Sequence, residues 1–271
     1  MFEWKNIFRG MAMGASDIIP GVSGGTIALV LGIYHRLIEA INNFFTRRWK
    51  QQLGFFIPLG IGILIAIFSL SKFLKWLLAS YPQPTFFLFI GLILGTIPFL
   101  LKEADYKYKF TGQHYLILAI AAGLVILSGV FQGEESAAMQ PLSTGDYVLL
   151  FFSGWLASTA MILPGISGSF ILLIIGVYTT VLNAVSTLNI PVLLTLGAGI
   201  ILGLVIMSKF LHYLLRHHTT GTYAVMTGLL VGSLFVIFPG LDASFLQLII
   251  SIITLLTGLF VAITLGKIER A

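Results

Sequence analysis

The sequence contains no cysteine and very few charged residues. Only 9% of its 271 residues are Asp, Glu, Lys or Arg, whereas a soluble domain carries roughly 25%. The absence of cysteine excludes disulfides and thiolate metal sites. The chain is instead rich in hydrophobic residues, which make up 58% of it, and its mean hydropathy is +1.01. These values predict an all-α polytopic membrane protein.

Further absences narrow the function. The five histidines lack the helical spacing of a metal site, so we expect no metal and no cofactor. The chain has no P-loop, nucleotide fingerprint or nucleophile elbow, which argues against transport driven by its own ATP hydrolysis. The net charge of +5 is better interpreted through the placement of Lys and Arg between spans than as a nucleic-acid patch.

One fifteen-residue motif occurs twice. The copies are PGVSGGTIALVLGIY, from Pro20 to Tyr34, and PGISGSFILLIIGVY, from Pro164 to Tyr178, with eight identical positions. Proline removes a backbone donor and glycine loosens the backbone, so each copy predicts two short helices joined by a polar turn. The alternative is a structural kink whose polar groups are satisfied by neighbouring helices.

The duplication predicts two repeats, each a re-entrant broken-helix hairpin followed by three transmembrane helices. Residues 1–133 form the first repeat, 134–146 an external linker and 147–271 the second. Residues 35–45 are amphipathic and either lie in the membrane interface or extend the first hairpin. The hairpins are expected at about 7–34 and 148–178, and the spans at about 53–71, 85–101, 113–131, 192–210, 222–239 and 245–266.

The distribution of positive charge predicts that the two repeats have opposite orientations. Three spans and one hairpin make an odd number of crossings. If the N-terminus is cytoplasmic, Lys72 and Lys75 are the only Lys or Arg residues expected outside. We therefore expect inverted-topology repeats in a cytoplasmic membrane, with a site near the midplane where the broken helices meet.

The two turns predict a binding site for an anion. A helix that begins near Gly24 or Gly168 directs unpaired N–H groups and a positive dipole end at the turn. The helices that end before the turns present carbonyls, which suit a cation. Hydroxyl groups at the two turns add donors and acceptors; they belong to Ser23, Thr26, Ser167 and Ser169.

Four charged residues are candidates for supporting roles. Asp17 precedes the first break, has Met161 as its counterpart, and is predicted to bind a coupling proton or cation, or else to cap the turn. Arg9 either attracts a phosphate or anchors the interface. Lys72 and Lys209 occupy equivalent positions and either bind a headgroup or extend to the membrane surface.

The run GMAMGASDIIPGVSGGTIALVLGIY, with ILPGISGSFILLIIGVY later in the chain, resembles a prokaryotic family called PopT, formerly a domain of unknown function. The resemblance covers essentially the full chain. It implies a bacterial or archaeal transporter that returns undecaprenyl phosphate from the outer to the cytoplasmic leaflet. We expect movement of one half against the other to expose the site alternately, and an H⁺ or Na⁺ gradient to drive transport, because a charged phosphate does not cross hydrocarbon unaided. The resemblance places Arg9 and Asp17 beside a phosphate site formed by Ser23, Gly24, Gly25, Thr26, Ser167, Gly168 and Ser169.

Two other functions remain open at this point. Integral-membrane undecaprenyl-pyrophosphate phosphatases also have paired re-entrant loops, but they need an Arg beside the serine and acidic residues in the other loop. Here Gly24 and Gly168 follow the serines, and the second loop has neither an acid nor an Arg. An ion or small-anion transporter without a lipid substrate also fits the anion site. The oligomeric state is not predicted.

Overall fold

A computed structural model describes residues 2–17, 23–130, 139, 141–241 and 244–268. Within these ranges the chain forms fourteen α-helices and one π-helical turn, and no strand. Seven of the helices are long and apolar enough to cross a membrane. The prediction of an all-helical, multi-pass membrane protein is therefore confirmed.

The helices of the amino-terminal half are α1 (Asn6–Asp17), α2 (Gly24–Val30), α3 (Tyr34–Phe44), α4 (Trp49–Ile65), α5 (Ser71–Ser80), α6 (Pro82–Glu103), α7 (Tyr106–Lys109) and α8 (Gly112–Val130), with the π-helical turn at Ala66–Leu70. Those of the carboxy-terminal half are α9 (Thr144–Ile162), α10 (Gly168–Ile175), α11 (Tyr178–Ser186), α12 (Ile190–His217), α13 (Thr219–Ile237) and α14 (Phe245–Ile268).

The seven long helices include one that lies within the stretch where the second hairpin is expected. Six of them, α4, α6, α8, α12, α13 and α14, occupy the stretches where spans are expected. The seventh is α9, whose 19 residues give a length of ~28 Å, nearly the ~30 Å of a hydrocarbon core. Helix α9 is therefore longer than the short helix expected before the second turn.

The greater length of α9 has a local cause at each end. Ser143 and Asp146 form a capping box that starts the helix before the expected position, with the serine N–H donating to the carboxylate at 2.7 Å. No proline or strained glycine interrupts the apolar run before Pro164. The sharp bend in this half lies further on, where α10 and α11 meet at 112° and Gly176 takes a φ of +82°.

The two halves use the same close packing between their first helices. Gly10 of α1 and Gly62 of α4 each face a backbone carbonyl of the other helix, so closely that a Cβ would collide with it. Gly154 of α9 and Gly199 of α12 repeat this arrangement in the second half. Small residues let helix backbones approach in a membrane, where dispersion and polar contacts replace the hydrophobic effect.

The last helices of each half pack against the other half. Helix α6 lies along α14, and α13 lies along α8. Gly91 of α6 and Gly228 of α13 sit directly against carbonyls of their partner helices. The halves are thus interlocked by two matching helix pairs rather than joined only through the segment between them.

Helix α3 packs against α4 in its own half and against α12 in the other. Ile38 and Ala40 are buried, while Glu39 is exposed. This stretch therefore forms a short amphipathic helix that packs on helices of both halves.

Candidate functional site

A cavity of about 270 Å³ lies between the end of α1 and the helices α9, α10 and α12. Asp17 and Ser23 line it from the first half, and Ser167, Gly168 and Ser169 line it from the second. The structure therefore brings the two copies of the motif to one place. The remaining wall is mostly apolar and consists of Ala157, Ser158, Met161, Leu172 and Ile200.

The first turn is held together by hydroxyl groups. Ser23 is the N-cap of α2 and its Oγ accepts a hydrogen bond from the Thr26 N–H at 3.2 Å. Thr26 Oγ1 lies 3.0 Å from Ser23 Oγ and accepts from the Gly165 N–H at 2.9 Å. Thr26 is therefore used to connect the two turns instead of facing the cavity. Residues 18–22, with the Pro-Gly break, lie outside the described residues.

Asp17 occupies the amino terminus of α2. Its Oδ1 accepts a hydrogen bond from the Gly24 N–H at 2.7 Å, and a Cβ on Gly24 would lie 3.0 Å from the carboxylate. The positive end of α2 thus already holds an anion that belongs to the chain. Asp17 therefore stabilises the turn, as one of its two predicted roles requires, and also lines the cavity; its role in binding a coupling proton or cation stays a prediction.

Among the described residues, the second turn makes fewer side-chain hydrogen bonds than the first. Ser167 is the N-cap of α10 but no side-chain hydrogen bond caps this helix, whose first N–H groups have no partner within the helix. The hydroxyls of Ser167 and Ser169 lie 2.8 Å apart. Gly168 packs against α9, where a Cβ would come within 2.9 Å of the Ala157 carbonyl. The donors of the site are therefore concentrated at α10.

Tyr34, which ends the first motif, was not predicted to take part in the site. Its hydroxyl donates to the Ile162 carbonyl at 2.8 Å and so satisfies the carboxy terminus of α9. Gly25 lies against the same end, since a Cβ there would be 3.0 Å from the Met161 carbonyl. The available signal was the identity of this tyrosine in both copies, but nothing in the motif identified a partner in the other half.

The other charged candidates lie away from the cavity. Arg9 precedes Asp17 by eight residues, or ~12 Å along α1, and its Nη1 donates to Asn6 Oδ1 at 2.8 Å. Lys209 is exposed on α12 and does not line the cavity. The side chain of Lys72 lies outside the described residues. Asp17 is the charged group that the structure places at the two turns.

The fold and the cavity together define a class. Helices long and apolar enough to cross a membrane surround a cavity where the interrupted helices of the two motifs meet, and membrane transporters have this arrangement. The described residues contain no group of three His, Asp or Glu side chains that could hold a metal.

Comparisons with known proteins identify the family. Residues 13–248 match the VCA0040-like family, described as undecaprenyl phosphate translocase-like. A polyprenyl-phosphate transporter of Staphylococcus aureus (strain NCTC 8325 / PS 47) is 44% identical over 275 residues, covering 98% of this chain and 97% of that protein. A Vibrio cholerae serotype O1 protein of the same name is 40% identical over 245 residues, or 85% and 76%. The chain therefore belongs to the undecaprenyl phosphate translocase-like family.

No solved structure matches the chain. The comparisons confirm the resemblance stated from the paired motifs. Both relatives are named as transporters, and neither is named as a phosphatase.

Proposed function

We propose that this protein transports undecaprenyl phosphate, or a closely related polyprenyl phosphate, from the outer to the cytoplasmic leaflet of a prokaryotic cytoplasmic membrane. The observation that carries the proposal is the cavity that both Ser-Gly turns line, in a chain of the translocase-like family. A charged phosphate does not cross hydrocarbon unaided, and this cavity offers it polar partners at membrane depth.

The phosphate headgroup binds mainly at the second turn. The uncapped N–H groups of α10 and the hydroxyls of Ser167 and Ser169 supply hydrogen-bond donors, and the helix dipole favours a negative charge there. Ser23 completes the site from the opposite wall. Gly24, Gly25 and Thr26 contribute indirectly, because they hold α2 close to Asp17, to α9 and to the second turn.

Asp17 couples transport to a cation. An ionised carboxylate on the wall of the cavity repels a phosphate dianion, whereas a proton or a Na⁺ bound to it removes that repulsion. Cation and phosphate therefore bind more tightly together than separately, which is the requirement for a gradient of one to drive movement of the other. Arg9, ~12 Å away along α1, acts on approach of the headgroup rather than in the cavity.

The two halves act as inverted repeats that expose the cavity alternately. Matching helix pairs support this proposal, since α1 packs on α4 as α9 packs on α12, and α6 packs on α14 as α13 packs on α8. The helices that follow the two turns also differ in burial, because all seven residues of α2 are buried and none of the eight in α10 is. The N-terminus lies in the cytoplasm in this arrangement, as the distribution of Lys and Arg predicts.

Proteoliposomes test the proposal directly. The protein is reconstituted with fluorescent undecaprenyl phosphate, and loss of label from one leaflet is followed by membrane-impermeant quenching with and without an imposed pH or Na⁺ gradient. We expect faster leaflet exchange than in empty liposomes, accumulation in one leaflet under a gradient, and no free phosphate. Flux of a small anion without lipid movement would refute the lipid substrate in favour of a small-anion transporter.

A further inference from the structure

A second concavity lies outside the motif cavity. We call it the apolar groove; it has a volume of about 450 Å³ and runs between α3, α4 and α12. Every side chain that lines it is hydrocarbon, so it offers nothing to a phosphate or an ion. Its walls include Phe44, Phe45, Phe56, Ile57, Ile201 and Leu204.

The apolar groove and the motif cavity lie on the same junction between the halves. Helices α3 and α4 of the first half form one side of the groove, and α12 of the second half forms the other. Ile200 of α12 lines the cavity, and Leu204 lines the groove. These residues are four apart, so they are neighbours on one face of the helix, ~6 Å apart along its axis. One stripe of α12 therefore leads from the polar site into the groove.

The apolar groove opens toward lipid and has aromatic walls. Ile57 is 41% exposed and Ile201 55% exposed, which places the opening on the outer face of the bundle. The ring of Phe44 meets those of Phe45 and Phe56 nearly edge-on, at centroid distances of 5.6 and 5.4 Å. A hydrocarbon chain can thus enter sideways and lie against fixed flat surfaces.

We propose that the apolar groove binds the isoprene units nearest the phosphate while the headgroup occupies the motif cavity. This inference rests on the proposed function, since it assumes a polyprenyl phosphate in the cavity. The chain of such a lipid begins at the phosphate, and the groove is the apolar surface that α12 joins to the cavity. Surrounding lipid is as apolar as the groove, so retention of the chain depends on shape and packing. Methyl-branched, unsaturated isoprene units have a shape that saturated acyl chains lack.

The test narrows the apolar groove from each of its two sides. Ile201→Trp adds bulk from α12 and Ile57→Trp from α4. The matched control is Ile206→Trp, which is also on α12, is 46% exposed and lies outside both the groove and the cavity. Each protein is purified whole in lipid nanodiscs, and binding of radiolabelled undecaprenyl phosphate is measured with dimethylallyl phosphate and hexadecyl phosphate as competitors.

Both groove variants should bind undecaprenyl phosphate about tenfold more weakly, because a bulky side chain in occupied space costs roughly that factor. Binding of undecaprenyl phosphate by Ile206→Trp should not change. Dimethylallyl phosphate should bind the groove variants nearly as tightly as the unmodified protein, because its single unit reaches only the start of the groove. Unchanged affinity in both groove variants, or equal competition by the saturated hexadecyl chain, would overturn the proposal. Failure of the unmodified protein to bind undecaprenyl phosphate would instead refute the proposed function itself.

Discussion

The hydrogen bond between Thr26 and Gly165 can be tested by a single substitution. Thr26 is 1% exposed, and its Oγ1 accepts from the Gly165 N–H at 2.9 Å and lies 3.0 Å from Ser23 Oγ. Thr26→Val keeps the β-branched shape and removes this oxygen. The Gly165 amide belongs to a turn with a φ of +88° and not to a helix. When Thr26 Oγ1 is removed, no carbonyl one helical turn earlier is therefore placed to accept from this amide.

The expected loss follows from these contacts. A buried donor left without its acceptor costs ~1–3 kcal/mol, while polar contacts between membrane helices average ~0.6 kcal/mol and reach ~1.7 kcal/mol. Because the amide is buried and lies outside a helix, we expect a value near the top of the membrane range, about 1.5–2 kcal/mol. For a chain of this size that corresponds to a fall in Tm of roughly 3–8 °C.

Thermal unfolding in detergent, followed by intrinsic tryptophan fluorescence, measures this difference. Thr257→Val is the matched control, because the Thr257 hydroxyl is exposed and donates to the Ile253 carbonyl of its own helix at 2.8 Å; its Tm should change by less than about 1 °C. Thr26→Ser, which keeps the oxygen, should recover most of the loss. Equal Tm values for Thr26→Val and Thr257→Val would show that the bond between the turns does not stabilise the fold.

Three further substitutions test the site. Asp17→Asn keeps an acceptor for the amide of α2 but cannot take up a proton, so gradient-driven lipid movement should fall at least tenfold in proteoliposomes with Tm nearly unchanged; full driven transport would remove Asp17 from coupling. Tyr34→Phe removes the donor to the last carbonyl of α9 and should lower Tm by roughly 2–4 °C, and an unaltered Tm would contradict this. Gly168→Ala brings a Cβ within 2.9 Å of a carbonyl of α9 and should slow transport, unlike Gly123→Ala in open space.

Hydropathy and the duplicated motif were sufficient to predict much of the fold. The spans are long apolar stretches, and their positions depend on local composition that any window of the sequence contains. The duplication of PGVSGG and PGISGS indicated that the two turns belong together, and the structure places Ser23 and Ser167 on one cavity. These features are local or repeated, which is why they are visible without coordinates.

The partners of individual polar atoms could not be predicted in the same way. Asp17 was expected near the first turn, but its bond to the Gly24 amide depends on how the chain returns after the break. Tyr34 and Ile162 are 128 residues apart, and no periodicity connects them. The length of α9 was missed for a different reason, because its capping box lies in a polar stretch that resembled a linker. Long-range pairing is set by tertiary packing, on which local sequence carries little information.

The two copies of the motif differ in sequence at a position that contacts the other turn. Helix α2 is buried and α10 is not, although their motifs are closely similar. The position of Thr26 in the first copy is taken by Phe170 in the second. Threonine can accept the Gly165 amide across the junction, whereas a phenylalanine side chain has no oxygen for a reciprocal bond. Phe170 therefore cannot supply the kind of bond that Thr26 makes, and the hydroxyl that joins the two turns comes from the first copy of the motif.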